Sequence, residues 1–180
     1  MTGLSRILLT GAACSGKSAL VAEMRTRGWA ISRDPGARVI RAETATGGTG
    51  QPWVDAGRHA RLMLKMAVAD YEALREGAQL FDRGVLDAAL AMGAANAPAA
   101  EYFTRYPYHT SVVLAPPMRA IFDAATPQPE QAKPDWDRAN ADYETLTDTL
   151  ARLGYRPLLL PEAGIADRAD WLAARLADET

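Results

Sequence analysis

The sequence predicts an α/β fold, a parallel sheet of five strands with helices on both faces. Short apolar runs at 7–9, 29–31, 79–82, 110–115 and 155–160 alternate with segments of helical periodicity. Strands alternating with helices pair in parallel, through right-handed crossovers that cover both faces. The first apolar run leads into Gly11-Ala12-Ala13-Cys14-Ser15-Gly16-Lys17-Ser18, which satisfies G-x-x-x-x-G-K-[ST] at every fixed position and opens a helix with Ala19. Strand, glycine loop and helix is the context in which that spacing has a mechanism. With 180 residues, the chain is expected to form one domain over 1–180, large enough to need no disulfide or metal staple.

The elements follow in order. Ile7-Leu8-Leu9 is apolar at successive positions, as a strand buried on both faces requires. Residues 17–27 form a helix with Leu20 and Met24 one turn apart, closed by Gly28, and 29–31 form a second strand. Asp34 before Pro35 starts a short helix to about 45, an N-cap followed by proline at the first helical position. The glycine-rich stretch 46–52 is a loop ending at Trp53. From about 55 to 76, Ala60, Met63 or Leu64, Ala67, Tyr71 and Leu74 recur at helical spacing, with Ala78 continuing the repeat. A third strand at 79–82 ends in Asp82, an alanine-rich helix covers 84–95, 101–108 is ambiguous with another helical turn as one reading, and 110–115 is a fourth strand. Prolines 116, 117, 127, 129 and 134 then interrupt the pattern. The start of 116–135 reads as a short helix and the rest as a mobile, lid-like excursion. Trp136, Ala139, Tyr143, Leu146, Leu150 and Leu153 mark an amphipathic helix closed by Gly154, before a fifth strand at 155–160 and a last helix at 165–177.

Composition narrows the function. The net charge is −2 and no basic stripe stands out, so nucleic acid is not an expected partner. No run approaches the roughly 20 apolar residues that span a membrane. Cys14 is the single cysteine, a small loop filler; without a disulfide framework the expected location is the reducing cytoplasm. His59 and His109 have no partner at ligand spacing and read as structural, so no metal beyond Mg²⁺ is expected. The sequence carries no sign of an oligomeric state.

The glycine loop carries the chemistry. Gly11 and Gly16 let the backbone approach a ligand closely. The amides of Ala12, Ala13, Cys14 and Ser15, with the positive end of the helix that Lys17, Ser18 and Ala19 begin, form a cradle for the phosphates of ATP. Lys17 reaches the β- and γ-phosphates and Ser18 ligates Mg²⁺. Asp82 ends a strand on the same rim, where a second acid holds the Mg²⁺ shell, though it also suits the cap of the next helix. Arg83 suits a transferring phosphoryl group or solvent. Asp34 is a candidate general base for an acceptor hydroxyl, and its N-cap position explains it equally. Arg38, one turn later, suits an anionic acceptor or a surface pair. Trp53 beside the glycine run suits stacking on a base, whereas Trp136 falls on an apolar stripe. Arg119, Lys133 and Arg138 flank the excursion as candidate lid cations.

Taken in order, the GAACSGKS loop, Asp34-Pro35 with Arg38-Val39-Ile40, Pro52-Trp53, Phe81-Asp82-Arg83-Gly84, Pro116-Pro117 and Leu153-Gly154-Tyr155 with Leu160-Pro161 resemble a family. It is that of the small single-domain P-loop proteins grouped as AAA-type ATPases, similar in architecture to nucleoside and nucleotide kinases and to the ribosylnicotinamide kinase domain. The resemblance implies a three-layer α/β/α P-loop NTPase with strand order 2-3-1-4-5 and Asp82-Arg83 near the phosphates. It also implies a lid after the fourth strand and an acceptor pocket between the helix of Asp34 and the helix at 55–76. The activity implied is Mg-ATP-dependent phosphorylation of a small nucleoside- or nucleotide-like molecule; an ATPase or nucleotide switch is the alternative. A ring-forming motor is not implied, since no extra helical domain is expected. One departure concerns the lid: between Asp123 and Glu130 there is no arginine, and the next is Arg138.

Overall fold

The computed structural model describes residues 5–73, 78–94, 100–125 and 135–179. The strands are β1 (Ser5–Gly11), β2 (Ile31–Ser32), β3 (Ala78–Asp82), β4 (Ser111–Ala115) and β5 (Arg156–Leu159). They form one parallel sheet in the order β2-β3-β1-β4-β5, as the resemblance implies. The helices are α1 (Lys17–Thr26), α2 (Pro35–Thr46), α3 (Ala56–Ala73), α4 (Val85–Ala94), α5 (Ala100–Arg105), α6 (Arg119–Ala124), α7 (Trp136–Arg152) and α8 (Ile165–Glu179).

Successive side chains of a strand point to opposite faces, and β1 feeds two cores. Leu8 joins Phe81, Val112 and Leu114 beneath α3, α4 and α7. Ile7 and Leu9 join Leu80, Val113, Leu20, Met24, Leu172 and Leu176 beneath α1 and α8. Its central place sends the end of β1, and the glycine loop after it, between β3 and β4, where a parallel sheet of this kind binds its ligands.

The second strand starts two residues later than its apolar run suggests. Gly28 closes α1 at φ 88, and the Trp29 N–H returns to the Met24 carbonyl at 3.1 Å. The helix end thus occupies the group that a strand at Trp29 would offer. Gly154 ends α7 in the same way, with Tyr155 N–H on Leu150 at 3.0 Å. Of the ambiguous stretch at 101–108, residues 101–105 belong to α5 and the rest lies in its connection to β4. Of the proline-rich excursion, α6 matches the expected short helix; 126–134, with Lys133, lies outside the described residues, as do 74–77 with Leu74. Among the described residues no helix is long and apolar enough to cross a membrane.

The start of α4 has an unusual cap. Tyr108 is buried, and its hydroxyl accepts the Val85 N–H at 2.9 Å. A Cβ on Gly84 would run into that hydroxyl, so glycine there makes room for the cap. Tyr108→Phe leaves the Val85 N–H buried without a partner and should lower the unfolding free energy by about 1–3 kcal/mol. Urea unfolding with an unchanged m-value measures this; a loss below about 0.5 kcal/mol would contradict the capping role.

Candidate active site

The glycine loop is fixed from outside. Gly11 has φ 141, and a Cβ on it would run into the Ala115 carbonyl oxygen, which accepts the Ala12 N–H at 3.2 Å. Cys14 and Gly16 take left-handed φ of 54 and 74. The Cys14 carbonyl accepts the Met118 N–H at 3.1 Å, and the Ser15 carbonyl accepts Nη2 of Arg168 at 2.8 Å. In a trans peptide the N–H points opposite to the carbonyl. Outward carbonyls at Cys14 and Ser15 therefore turn the N–H groups of Ser15 and Gly16 inward, the arrangement that binds anions.

Lys17 is 7% exposed and folds over this concavity. Its Nζ donates to the carbonyls of Gly11 at 3.1 Å and Ala12 at 2.8 Å and to the Ser15 hydroxyl at 3.1 Å. All three ammonium donors are used, yet every partner is neutral. Burial, helped by Arg83, lowers its pKa to about 7, against the pull of Asp82, Asp87 and Asp34. Ser18, Ala13 and Ala19 are exposed on the loop and first helical turn.

Acids and one arginine complete the rim. Asp82 is buried at the end of β3, paired in register with Leu9. Burial and the Asp34 carboxylate raise its pKa to about 6, against Lys17 and Arg83. Arg83 adopts φ 61, a left-handed conformation costly for a bulky side chain. Its N–H continues the sheet to the Leu9 carbonyl at 2.9 Å, and its Nε lies 3.6 Å from Oδ2 of Asp34 with no hydrogen bond of its own. Asp34 caps α2 with Oδ1 alone, accepting the N–H groups of Gly36 at 2.7 Å and Ala37 at 3.2 Å. Its other oxygen is left to Arg83.

Two participants escape the sequence reading. Asp87 accepts the Gly84 N–H at 3.0 Å and the Thr10 hydroxyl, tying α4 to β1, and burial raises its pKa. An acid three residues after a helix-opening turn is a capping signature that could have revealed it. Arg168 lies 153 residues from Ser15, and no local pattern announces it.

Other candidates sit apart from this cluster. Arg38 pairs with Asp70, which also accepts the Ser32 hydroxyl at 3.1 Å, beside a polar cavity of about 410 Å³ at the β2 edge. Trp53 is 41% exposed on its loop. Nearby, His59 meets the Gly50 carbonyl through Nδ1 at 2.8 Å, and Glu43 holds the Gly50 N–H at 2.8 Å and Arg58 at 3.1 Å. Arg119 pairs with Asp123 and lies over the Trp136 ring, while Arg138 pairs with Asp142.

The raised Asp82 pKa has a consequence for stability. Without metal or nucleotide, the folded chain keeps this proton up to about pH 6, whereas the unfolded chain releases it near 3.8. Between those values the folded state binds more protons, so the contribution of Asp82 falls as pH rises, by at most about 1.4 kcal/mol per unit. Asp82→Asn lacks this titration. Its stability relative to the parent should climb across that window and level off above it; a gap independent of pH in urea titrations would contradict the burial.

Oxygen donors at Ser18 and Asp82, beside a lysine that lacks an anion, fit the needs of Mg²⁺ and a polyphosphate. Among the described residues no three His, Cys, Asp or Glu side chains form a ready-made metal cage. A family profile described as AAA domain matches residues 6–168. No curated protein matches the chain. Among solved structures, deoxyadenosine kinase from M. mycoides with bound dCMP and dCDP aligns at TM-score 0.61 and 15% identity, over 97% of this chain and 100% of that one. NadR in complex with NR aligns at 0.65 and 16%, over 98% of this chain and 51% of NadR, so this chain spans about half of that protein. Shikimate kinase from Aquifex aeolicus aligns at 0.56 and 15%, over 96% of both chains. At such identities the likeness is one of fold, and it agrees with the strand order. The chain belongs to the AAA domain family, and its fold is that of the P-loop kinases.

Proposed function

We propose that this protein is a kinase that uses ATP and Mg²⁺ to phosphorylate a hydroxyl of a small nucleoside- or nucleotide-like molecule. The observation that carries the reading is the division of labour within Asp34: Oδ1 caps α2, and Oδ2 faces Arg83 at 3.6 Å on the rim that holds the glycine loop. Cap and base are therefore compatible roles for one carboxylate.

In this reading the inward amides of the loop hold the triphosphate, and Lys17 exchanges neutral carbonyls for phosphate oxygens. Ser18 and Asp82 would hold Mg²⁺, which supplies neutralising charge to the phosphates. Asp34 takes the proton of the acceptor hydroxyl as its oxygen bonds to the γ-phosphorus and the bond to the ADP oxygen breaks. Arg83, whose Nε lies 3.6 Å from Oδ2 of Asp34, steadies that carboxylate and would meet the transferring phosphoryl group. Arg38 and Trp53 would contact the acceptor only if it extends toward the β2 edge or the glycine-rich loop. Structural relatives that bind deoxynucleotides and NR support an acceptor of nucleoside type.

One observation favours the alternative, an ATPase or nucleotide-dependent switch. Arg119 and Arg138 are held in exposed i,i+4 pairs, so neither is committed to the phosphates.

Asp34→Asn separates these readings, because asparagine caps about as well as aspartate. Thermal stability should hold, while acceptor-dependent ADP release falls by about 10²–10⁴-fold. Nucleosides, nicotinamide riboside, nucleoside monophosphates and shikimate form the acceptor screen. If no acceptor raises ADP release above the water background and Asp34→Asn leaves basal hydrolysis untouched, the kinase reading fails. Lys17→Ala provides the matching binding control: it should abolish most of the ATP-induced thermal shift, which for the parent corresponds to about 2.7 kcal/mol at 100 times Kd.

A further inference from the structure

Arg168 heads the fully buried side chains by size, at 2% exposed. It stands in the first turn of α8 and reaches the glycine loop from behind. Nη2 donates to the Ser15 carbonyl, and Nη1 lies 2.6 Å from where a Cβ on Gly16 would sit. Its Nε has no partner. Among the described residues no carboxylate pairs with it, and burial alone moves its pKa, downward.

A buried cation without a counter-ion is a poor device for stability, since an apolar side chain of similar volume commonly serves a core better. The guanidinium does something an apolar chain cannot. By fixing the Ser15 carbonyl outward it fixes the Gly16 N–H inward, because the peptide between them is planar and trans. The absence of a side chain on Gly16 leaves the space it fills. Its charge stands behind the amides that would face a polyphosphate, in an interior that screens charge weakly.

We propose that Arg168 is a positioning residue for the nucleotide phosphates: it holds the Gly16 amide turned into the loop and supplies a fixed positive charge whose counter-ion is the bound polyphosphate. This rests on the nucleotide-binding reading above, and on no step of phosphoryl transfer. The role predicts opposite signs for stability and affinity. Arg168→Met, similar in volume and apolar, should melt at or above the parent temperature without ligand, while its Kd for Mg-ATP and for inorganic tripolyphosphate rises about 10- to 100-fold. Calorimetric titration beside thermal melts of the free chain measures both. An unchanged Kd overturns the proposal, whatever the melt shows. Should Arg168→Met fail to fold or melt well below the parent, Arg168→Lys is titrated in its place. It keeps the charge without the planar fork, so an intermediate Kd supports the proposal and a parental Kd overturns it. A parent chain that binds neither ligand overturns the nucleotide reading together with this one, whereas binding without any transfer activity leaves this inference standing and removes only the kinase.

Discussion

A buried ammonium group governs the carboxyl rim of this sheet. Lys17 is folded onto two carbonyls and the Ser15 hydroxyl of its own loop, which satisfy its donors without neutralising its charge. Compensation comes at longer range from Asp82, Asp87 and Asp34, and it is incomplete: burial dominates and drives the pKa of Lys17 down to about 7. The acids are perturbed in turn. Burial first, and the Asp34 carboxylate second, raise Asp82 to about 6, while Lys17 and Arg83 pull it down; Arg83 sits against Asp34 at 3.6 Å. The rim therefore gathers opposed charges held in place by backbone, so a change in the charge of one group acts on the others.

The topology makes that arrangement possible. Placing β1 between β3 and β4 brings the glycine loop, the end of β3 and the Pro116–Met118 connection to one edge of the sheet. The close approach of Gly11 to Ala115 fixes where the chain leaves β1. The left-handed turn at Arg83 returns its N–H to Leu9 and frees its side chain for Asp34. At Arg83 the chain trades local strain for placement, whereas Gly11 takes its positive φ without strain because it has no Cβ.

Much of this was legible in the sequence, because the signals were local. The loop spacing, the Asp34-Pro35 helix start and the acid ending an apolar run each lie within a few residues, and each stands where its pattern predicted. Gly28 marks the helix end in sequence as in structure; the strand after it begins later than its apolar run suggests, because the Trp29 N–H belongs to the helix. What stayed hidden depends on contacts across the chain. Nothing near Arg38 shows that Asp70 will claim it, nothing near Gly84 shows that a hydroxyl from Tyr108 needs the space, and Arg168 is indistinguishable in sequence from the exposed arginines around it. Pattern reading finds groups that chemistry requires at fixed spacing, and it misses those that only the fold brings together.

In the proposed function Lys17 takes up phosphate oxygens and Asp34 faces the γ-phosphate. A crystal structure of the protein with a non-hydrolysable ATP analogue and Mg²⁺ tests this most directly. In that crystal Nζ of Lys17 should leave the Gly11 and Ala12 carbonyls for β- and γ-phosphate oxygens, the metal should lie beside Ser18 and Asp82, and Oδ2 of Asp34 should face the γ-phosphate across an open acceptor space. A nucleotide bound with Lys17 still on its loop carbonyls, or with Asp34 turned away from the γ-phosphate, would contradict it.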